Sequence, residues 1–242
     1  MLSIFKKSLL LPDLGAIGTD IHAHWLPALD DGAGTLTESF TLLRGLHGLG
    51  LERCWATPHI SQEHYPNSPA GINEAYQRMV QVAPDFVLNH SDFAAEYLVD
   101  GEFLRRTEQG NLLTLPNNRL LFEFSFAAPP DNLSYILFTI QVCGYKPVVA
   151  HPERYRYWSR NPDVCRQLVD SGCELQINML SLLGYYGKSV RRTAYEIIET
   201  GGRYLLGSDC HNARQLACVA SGLKDRQFTD LVKRGLFTNK SL

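Results

Sequence analysis

The sequence predicts an α/β fold in which strands and helices alternate along a single domain. Short apolar runs rich in β-branched and aromatic residues are separated by longer segments of helical periodicity. The chain has 242 residues, 45% hydrophobic and 20% charged, which suffices for one large core and excludes an intrinsically disordered protein. No low-complexity linker or internal repeat divides it. We therefore expect one domain over residues 17–242, preceded by an N-terminal extension over residues 1–16.

Seven strands are predicted, each identified by its C-terminal end. These ends lie near residues 20–22, 55–57, 94–96, 121–123, 148–150, 175–177 and 205–207. A helix is predicted after Thr35, which forms a capping box with Glu38. Further helices are predicted over residues 72–82, 132–143, 188–200, 213–220 and 224–235, and one begins at Asn161-Pro162. The loop over residues 58–71 is long for a strand–helix connection, as functional lids often are.

Charge and cysteine content exclude several classes of protein. The 23 Lys and Arg residues nearly balance the 25 Asp and Glu residues, so there is no basic excess of the kind that binds nucleic acid. No run approaches the ~18 apolar residues of a membrane span, and Pro12 ends an apolar run too short for a signal peptide. Six cysteines without a Cys-x-x-Cys pair indicate reduced thiols and a cytoplasmic location. None is followed by Arg six residues later, which excludes the cysteine-based phosphatases.

Polar side chains follow the predicted strands at their C-terminal ends. In chain order they are His22, His24, Asp31, His59, Glu96, Glu123, His151, Arg154, Asn178, Asp209 and His211. In barrels of parallel strands these ends meet at one face, so we expect the side chains to lie close together. His22 and His24 are two residues apart on a strand and project to the same side, so both can bind one ion. Each residue alone fits a loop or helix cap, but the full set favours a metal site.

The ligand types point to a catalytic rather than a structural site. His, Asp and Glu without thiolate favour a polynuclear centre of manganese, iron, zinc or magnesium. Bridging carboxylates hold two cations ~3.5–4 Å apart, the spacing used in phosphoryl transfer. The planar fork of Arg154 suits two phosphate oxygens, although an ion pair with Glu153 or another neighbour is the alternative. His47, His64 and His90 are interpreted as structural, and His64 in the long loop is the only one of the three that could reach a substrate.

The order of motifs resembles that of the polymerase and histidinol phosphatase (PHP) family. The motifs are Asp-x-His-x-His, Asp-Asp-Gly, Thr-Pro-His, Ala-Glu-Tyr, Phe-Glu-Phe-Ser, Ala-His-Pro-Glu-Arg-Tyr and Ser-Asp-x-His-Asn. Over residues 17–215 the sequence is most similar to the branch of bacterial metal-dependent protein-tyrosine phosphatases associated with capsule and exopolysaccharide synthesis. The resemblance implies a distorted (β/α)7 TIM-like barrel with three divalent ions, manganese first, with iron, zinc and magnesium as alternatives.

The resemblance also implies roles for individual residues. The first ion would take His22, His24, Glu96 and Asp209; the second would share Glu96 and add Glu123 and His151; the third would take Asp31, His59 and His211. Arg154 matches a phosphate-binding arginine, and Arg214 matches a second one if a short deletion is allowed. Glu123 stands where many PHP relatives have His, which favours the tyrosine-phosphatase branch. We expect Arg154, Asp209 and His59 to act in catalysis.

The expected reaction is hydrolysis of phosphotyrosine on a protein. Hydroxide formed from water at the metal site would attack phosphorus in line while Arg154 neutralises the phosphate oxygens. The expected substrate is a bacterial tyrosine kinase of capsule or exopolysaccharide synthesis. Alternatives are a small phosphate ester such as histidinol phosphate, a phosphodiester, or a non-enzymatic scaffold. A shallow rim would favour a protein substrate and a deep, closed pocket a metabolite.

Two further expectations concern side chains near the predicted site. Six aromatic residues could stack on a phosphotyrosine ring or serve as ordinary packing: Trp25, Tyr65, Tyr97, Phe124, Tyr155 and Tyr157. Cys210, which lies between two predicted ligands, is the cysteine to test for sensitivity to oxidation.

Overall fold

The structure is a computed structural model that describes residues 10–159 and 163–242. Its strands are β1 (Thr19–Ala23), β2 (Arg53–Ala56), β3 (His59–Ile60), β4 (Ser91–Phe93), β5 (Glu96–Leu98), β6 (Arg119–Glu123), β7 (Lys146–Ala150), β8 (Glu174–Asn178) and β9 (Tyr204–Gly207). They form a three-stranded sheet in the order β1-β2-β4 and a six-stranded sheet in the order β3-β5-β6-β7-β8-β9. Every paired strand runs parallel to its neighbour. The structure thus confirms a single parallel α/β domain.

The helices lie between the strands. They are α1 (Leu36–Gly48), α2 (Pro69–Val82), α3 (Pro84–His90), α4 (Phe103–Gln109), α5 (Leu133–Val142), α6 (Asp163–Asp170), α7 (Met179–Leu182), α8 (Lys188–Glu199), α9 (Ala213–Ser221) and α10 (Arg226–Lys233). Thr35 caps α1, since its hydroxyl accepts from the Glu38 backbone N–H at 3.2 Å. The predicted helix start at Asn161-Pro162 lies outside the described residues. The sequence did not predict α3, α4 and α7, which have only four to seven residues and so show little periodicity.

Two of the seven predicted strands are each split in two. The second becomes β2 and β3, separated by Thr57-Pro58, and the third becomes β4 and β5, separated by Ala94-Ala95. Pro58 has no N–H to donate to a ladder, which accounts for the first break. Hydrogen bonds nevertheless cross both breaks, because Ala94 N donates to Ala56 O at 2.8 Å and Glu96 N donates to Pro58 O at 3.1 Å. The two sheets therefore continue into each other.

The first and last strands are joined in two ways. At their C-terminal ends, Asp209 N donates to His22 O at 2.7 Å and His24 N donates to Cys210 O at 3.0 Å. Closer to their N-terminal ends, the buried side chain of Asn239 lies between them. It bonds Thr19 O in β1 and both backbone groups of Leu206 in β9.

The apolar core has two parts. A main core packs the helices against the strands, and a smaller cluster is formed mainly by side chains of several strands, including Ile21, Leu121 and Leu205. Within the predicted extension over residues 1–16, Leu11 and Leu14 are buried in the main core. Over residues 10–159 and 163–242, no helix combines the length and the apolar character needed to cross a membrane.

Candidate metal centre

The structure brings all nine sequence-predicted metal ligands together at the C-terminal ends of the strands. Their donor atoms form four overlapping groups, each with all its atoms within 4.8 Å of one another. The groups are His22, His24 and Asp209; His22, Glu96 and His151; His59, Glu96 and Glu123; and His24, Asp31, His59 and His211. The cluster is continuous because every group shares at least one residue with another group, through His22, His24, His59 and Glu96.

Glu96 lies at the centre of the cluster and is fully buried. Its Oε2 atom lies 3.1 Å from His22 Nε2 and 3.2 Å from His59 Nδ1. Its Oε1 atom points the other way and lies 3.0 Å from His151 Nε2. A carboxylate whose two oxygens face different imidazoles is placed to bridge two cations.

Asp209 and Glu123 extend the cluster on either side of Glu96. Asp209 Oδ1 lies 3.5 Å from Nε2 of both His22 and His24. Glu123 Oε1 lies 3.2 Å from His59 Nδ1. Three of the four ligands that the family resemblance implies for the first ion, His22, His24 and Asp209, thus have donor atoms within 4.8 Å of one another.

The outer part of the cluster is open to solvent. Asp31, whose side chain is 59% exposed, has Oδ1 3.6 Å from His59 Nε2 and 3.4 Å from His211 Nε2. His59 therefore faces Asp31 with one ring nitrogen and Glu96 with the other. His59, expected at the third ion, therefore also contacts Glu96 and Glu123, which are expected at the second ion.

A carboxylate that the sequence analysis missed orients His24. Asp30 Oδ2 accepts from His24 Nδ1 at 2.8 Å and from the His59 backbone N–H at 3.0 Å. This bond keeps the proton on Nδ1 and leaves the lone pair of Nε2 facing the cluster. Gly32 completes the motif, because a Cβ atom there would lie 2.1 Å from His24 O. The Asp-Asp-Gly motif contained the signal, but only the fold distinguishes Asp30 from Asp31.

Two polar residues of β8 hold other ligands in place. Gln176 Oε1 accepts from His22 Nδ1 at 2.9 Å and from the His151 backbone N–H at 3.1 Å. Asn178 Nδ2 donates to Asp209 Oδ2 at 2.6 Å. Both residues are fully buried, and the position of Gln176 between the apolar Leu175 and Ile177 was the available sequence signal for it.

The backbone is strained at two ligands. His151 and Asp209 have φ angles of 34° and 50°, in the left-handed region that costs a non-glycine residue about 1–3 kcal/mol. Each is held by a hydrogen bond that its own backbone N–H donates. The acceptor is Gln176 Oε1 for His151 and His22 O for Asp209. Surrounding contacts thus impose the conformation that aims both side chains into the cluster.

The charges in the cluster shift the pKa values of its members. Burial alone would lower the pKa of His22, but the charges of Glu96 and Asp209 raise it to about 9. Burial also disfavours the charged form of His59, but Glu96 and Glu123 favour it and raise the pKa of His59 to about 10. Conversely, burial disfavours the charge on Glu96, yet the neighbouring imidazoles hold its pKa well below the usual value. Packed carboxylates that require cationic neighbours, with nitrogen and oxygen donors only, fit divalent metal ions.

Arg154 lies beside this cluster in a short 3-10 turn after β7. Its Nη1 atom donates to Asp209 Oδ2 at 3.2 Å, and its side chain is 26% exposed. Glu153 instead accepts from the Asn178 backbone N–H at 2.9 Å. Among the residues that the structure describes, Arg154 has no ion pair with Glu153, and its remaining N–H donors have no protein acceptor. These donors are available for phosphate oxygens.

Six of the nine cluster residues and Arg154 line one cavity of about 290 Å³, whereas His22, His24 and Glu96 are buried. Apart from the ligands, its lining includes Ser61, His64, Tyr65, Phe126 and Tyr186. The long loop over residues 58–71 forms part of the wall and is anchored rather than free, since Asn67 Nδ2 donates to Leu29 O and to His59 O. His64, interpreted from the sequence as structural, lines the cavity.

Several predicted contacts lie elsewhere. Among the described residues, Arg214 does not line the cavity; its exposed guanidinium lies 5.7 Å from the Tyr185 ring, in an adjoining groove that shares His211 with the cavity. Of the six aromatic residues considered, only Tyr65 lines the cavity. Four are buried as core packing: Trp25, Tyr97, Phe124 and Tyr155. Phe126 and Tyr186, which also line the cavity, were not predicted from the sequence.

Comparison with known proteins agrees with this geometry. A family model described as capsular polysaccharide synthesis, CpsB/CapC, matches residues 18–226. Tyrosine-protein phosphatase YwqE of Bacillus subtilis (strain 168) is 34% identical over 198 residues, covering 81% of this chain and 78% of that protein. Tyrosine-protein phosphatase CpsB of Streptococcus pneumoniae is 29% identical over 203 residues, covering 80% and 82%.

The structural comparison points the same way. One chain from a study of crystal structures of YwqE from Bacillus subtilis and CpsB from Streptococcus pneumoniae, described there as unique metal-dependent tyrosine phosphatases, matches with a TM-score of 0.74. It is 29% identical in sequence, and the match covers 90% of this chain and 94% of that chain.

Proposed function

The chain belongs to the CpsB/CapC family of capsular polysaccharide synthesis, and we infer from this and from its site that it is a metal-dependent protein-tyrosine phosphatase. The family resemblance seen in the motifs is thereby confirmed. The observation that carries the proposal is that nine ligand-type residues form one cluster, and that six of them line a cavity together with Arg154. Nitrogen and oxygen ligands beside an arginine with free donors suit hydrolysis of a phosphate ester.

We propose that three divalent ions, manganese first, are held by the nine residues. When bound, such ions polarise the phosphate and supply a nucleophile from water at neutral pH. The proposed division follows the family resemblance, with Glu96 shared between two ions. Gln176 and Asp30 fix the tautomers of His22 and His24, so that both imidazoles present lone pairs to the ions.

The residues around the ligands position the substrate. Arg154 binds two phosphate oxygens and balances the charge that develops on them. Asp209 orients Arg154 through the Nη1 bond while facing the ligands with its other oxygen. His59, 15% exposed at the cavity floor, is proposed to act in catalysis beside the leaving oxygen. Arg214 is proposed to contact the substrate from the adjoining groove.

The shape of the site favours a protein substrate over a metabolite. Asp31 is 59% exposed and Phe126 is 49% exposed, so the ligands lie under an open rim rather than in a closed chamber. The loop over residues 58–71 is held in place by the hydrogen bonds that Asn67 donates to Leu29 O and His59 O, which supports the same interpretation. We propose a tyrosine kinase of capsule or exopolysaccharide synthesis as the physiological substrate.

Finer features of the fold and location also belong to the proposal. Bonds between β1 and β9 support a distorted (β/α)7 barrel over residues 17–242, in which β2 with β3 and β4 with β5 count as single strands. Six free cysteines support a cytoplasmic location.

The test is metal analysis and turnover with protein purified without chelator. We expect bound divalent metal and a kcat/KM at least about tenfold higher for a phosphotyrosine peptide than for histidinol phosphate. Preference for histidinol phosphate would replace the substrate assignment. Absence of both bound metal and turnover would contradict the assignment of the protein as a metal-dependent phosphatase.

A further inference from the structure

Three aromatic side chains surround the mouth of the cavity, and we call them the aromatic collar: Tyr65, Phe126 and Tyr186. They come from three separate segments, the loop before α2, the loop after β6 and the loop after α7. The fold therefore brings together three rings that are far apart in sequence. None of the three is a metal-type ligand, and the reaction proposed above assigns none of them a role.

Each ring of the collar packs against a different functional residue. The Tyr65 ring stacks on His59 with centroids 5.3 Å apart and planes 14° apart. The Phe126 ring stacks on His151 at 5.8 Å and 20°. The guanidinium of Arg154 lies 4.2 Å from the Tyr186 ring and 4.8 Å from the Phe126 ring. The collar thus stands directly beside the groups that would hold a phosphate.

The collar differs from the other aromatic residues of this region in its exposure. Tyr97, Phe124 and Tyr155 are each at most 2% exposed and belong to the core, whereas Phe126 is 49% exposed at the cavity mouth. A half-exposed phenyl ring that lines a cavity offers its surface to a ligand.

The position of the phosphate determines what meets the collar. When the phosphate contacts Arg154 and the ligand cluster, the group esterified to it must extend toward the cavity mouth. A flat aryl ring can stack against the collar in offset or edge-to-face geometry, whereas a flexible alkyl chain has no aromatic face to present.

We propose that the aromatic collar binds the aryl ring of the substrate and so selects aryl phosphates, with Phe126 and Tyr186 as the main specificity-determining residues. The proposal rests on the phosphatase function proposed above. It assigns the collar to ring binding and leaves phosphate binding to Arg154 and the ligand cluster.

The test compares ring-removing with ring-retaining variants. Phe126→Leu and Tyr186→Leu remove a ring, while Phe126→Tyr and Tyr186→Phe keep it. Steady-state kinetics with a phosphotyrosine peptide give KM and kcat, and inhibition by inorganic phosphate gives a Ki for the phosphate site alone. Comparing KM with this Ki separates ring binding from phosphate binding.

We expect each Leu variant to raise KM for the peptide about five- to tenfold, the size expected for one lost aromatic contact. The Ki of inorganic phosphate should change less than about threefold, and the ring-retaining variants should stay within about twofold of the wild type. Phe138→Leu is the matched control, because Phe138 is 61% exposed on α5 and does not line the described cavity.

Two results would overturn the proposal that the aromatic collar binds the aryl ring of the substrate. If KM and the phosphate Ki rise by the same factor, the rings only position Arg154. If KM is unchanged in both Leu variants of an active enzyme, the rings do not meet the substrate. A wild-type protein without turnover of the peptide in any divalent metal would instead refute the phosphatase function, and the collar with it.

Discussion

The two ends of the same parallel strands treat polar side chains in opposite ways. At the C-terminal ends, four carboxylates and five histidines converge, and two of these residues have strained backbones. At the N-terminal ends, the buried polar groups satisfy one another. In parallel barrels the first end is the place of catalysis and the second contributes stability, and this chain shows the chemical basis of that division.

The N-terminal end is held by closed hydrogen-bonding sets. Arg119 and Glu174, each with a side chain 9% exposed, form a two-pronged pair at 2.5 and 3.1 Å, and Arg119 also donates to Pro116 O. The side-chain amide of Asn239 links β1 and β9: its Nδ2 donates to Thr19 O and Leu206 O, and its Oδ1 accepts from Leu206 N. The buried charges of Arg119 and Glu174 thus have their partners within the chain. At the other end the carboxylates depend on protonated imidazoles or on added cations.

Matched Glu→Gln changes at the two ends give the largest expected contrast. Glu96→Gln keeps the side-chain size but removes the charge that faces the imidazoles. We expect phosphotyrosine-peptide turnover to fall by about 10³-fold or more and the bound metal to decrease, because metal assistance is worth several kcal/mol. Metal analysis and kcat/KM provide the check. Retention of both near the wild-type level would remove Glu96 from the centre of the site.

Glu174→Gln makes the same chemical change at the opposite end. It leaves the buried charge of Arg119 without its partner and should lower the free energy of unfolding by about 3 kcal/mol. Turnover per folded molecule should stay within about twofold of the wild type. Urea denaturation and phosphotyrosine-peptide turnover per folded molecule measure the two effects. A loss of turnover without a loss of stability would show that the two ends are not separate.

Asp30→Asn tests the layer behind the ligands and should have a smaller effect. The variant retains an acceptor but weakens the bond that keeps the proton on His24 Nδ1, so metal affinity should fall about 10- to 100-fold. Excess metal should restore most of the turnover. Titration of the chelator-treated variant with manganese measures the affinity. Lost turnover that no metal concentration restores would make Asp30 a ligand rather than a positioning residue.

Cys210 should show the smallest effect despite lying between two ligands. It is fully buried, and burial raises the pKa of its thiol, so little of the reactive thiolate exists. We therefore expect Cys210→Ser to keep turnover within about twofold, and mild peroxide to inactivate wild type and variant equally. Protection of the variant from peroxide would show that the thiol is reactive.

The convergence of the nine proposed ligands could be predicted from sequence because these residues lie at or after the ends of apolar runs that meet at one face of the fold. Asp30 and Gln176 could not be assigned, since their partners depend on which atoms the fold brings together. The same holds for Asn239, whose contact with Thr19 spans 220 residues. Phe126 looked like one more apolar residue after a strand, and only the cavity shows its position. Arg214, which matches the motif only across a deletion, lies in the adjoining groove rather than in the cavity.

The central claim is that the strand-end cluster binds the metal ions on which phosphotyrosine hydrolysis depends. Its most direct test is to strip the wild-type protein with chelator, titrate it with Mn²⁺, and follow bound metal and phosphotyrosine-peptide turnover in the same samples. The account predicts no measurable turnover without metal and a rise that follows occupancy up to three ions per chain. Full turnover in the stripped protein, or metal uptake without any turnover, would contradict it.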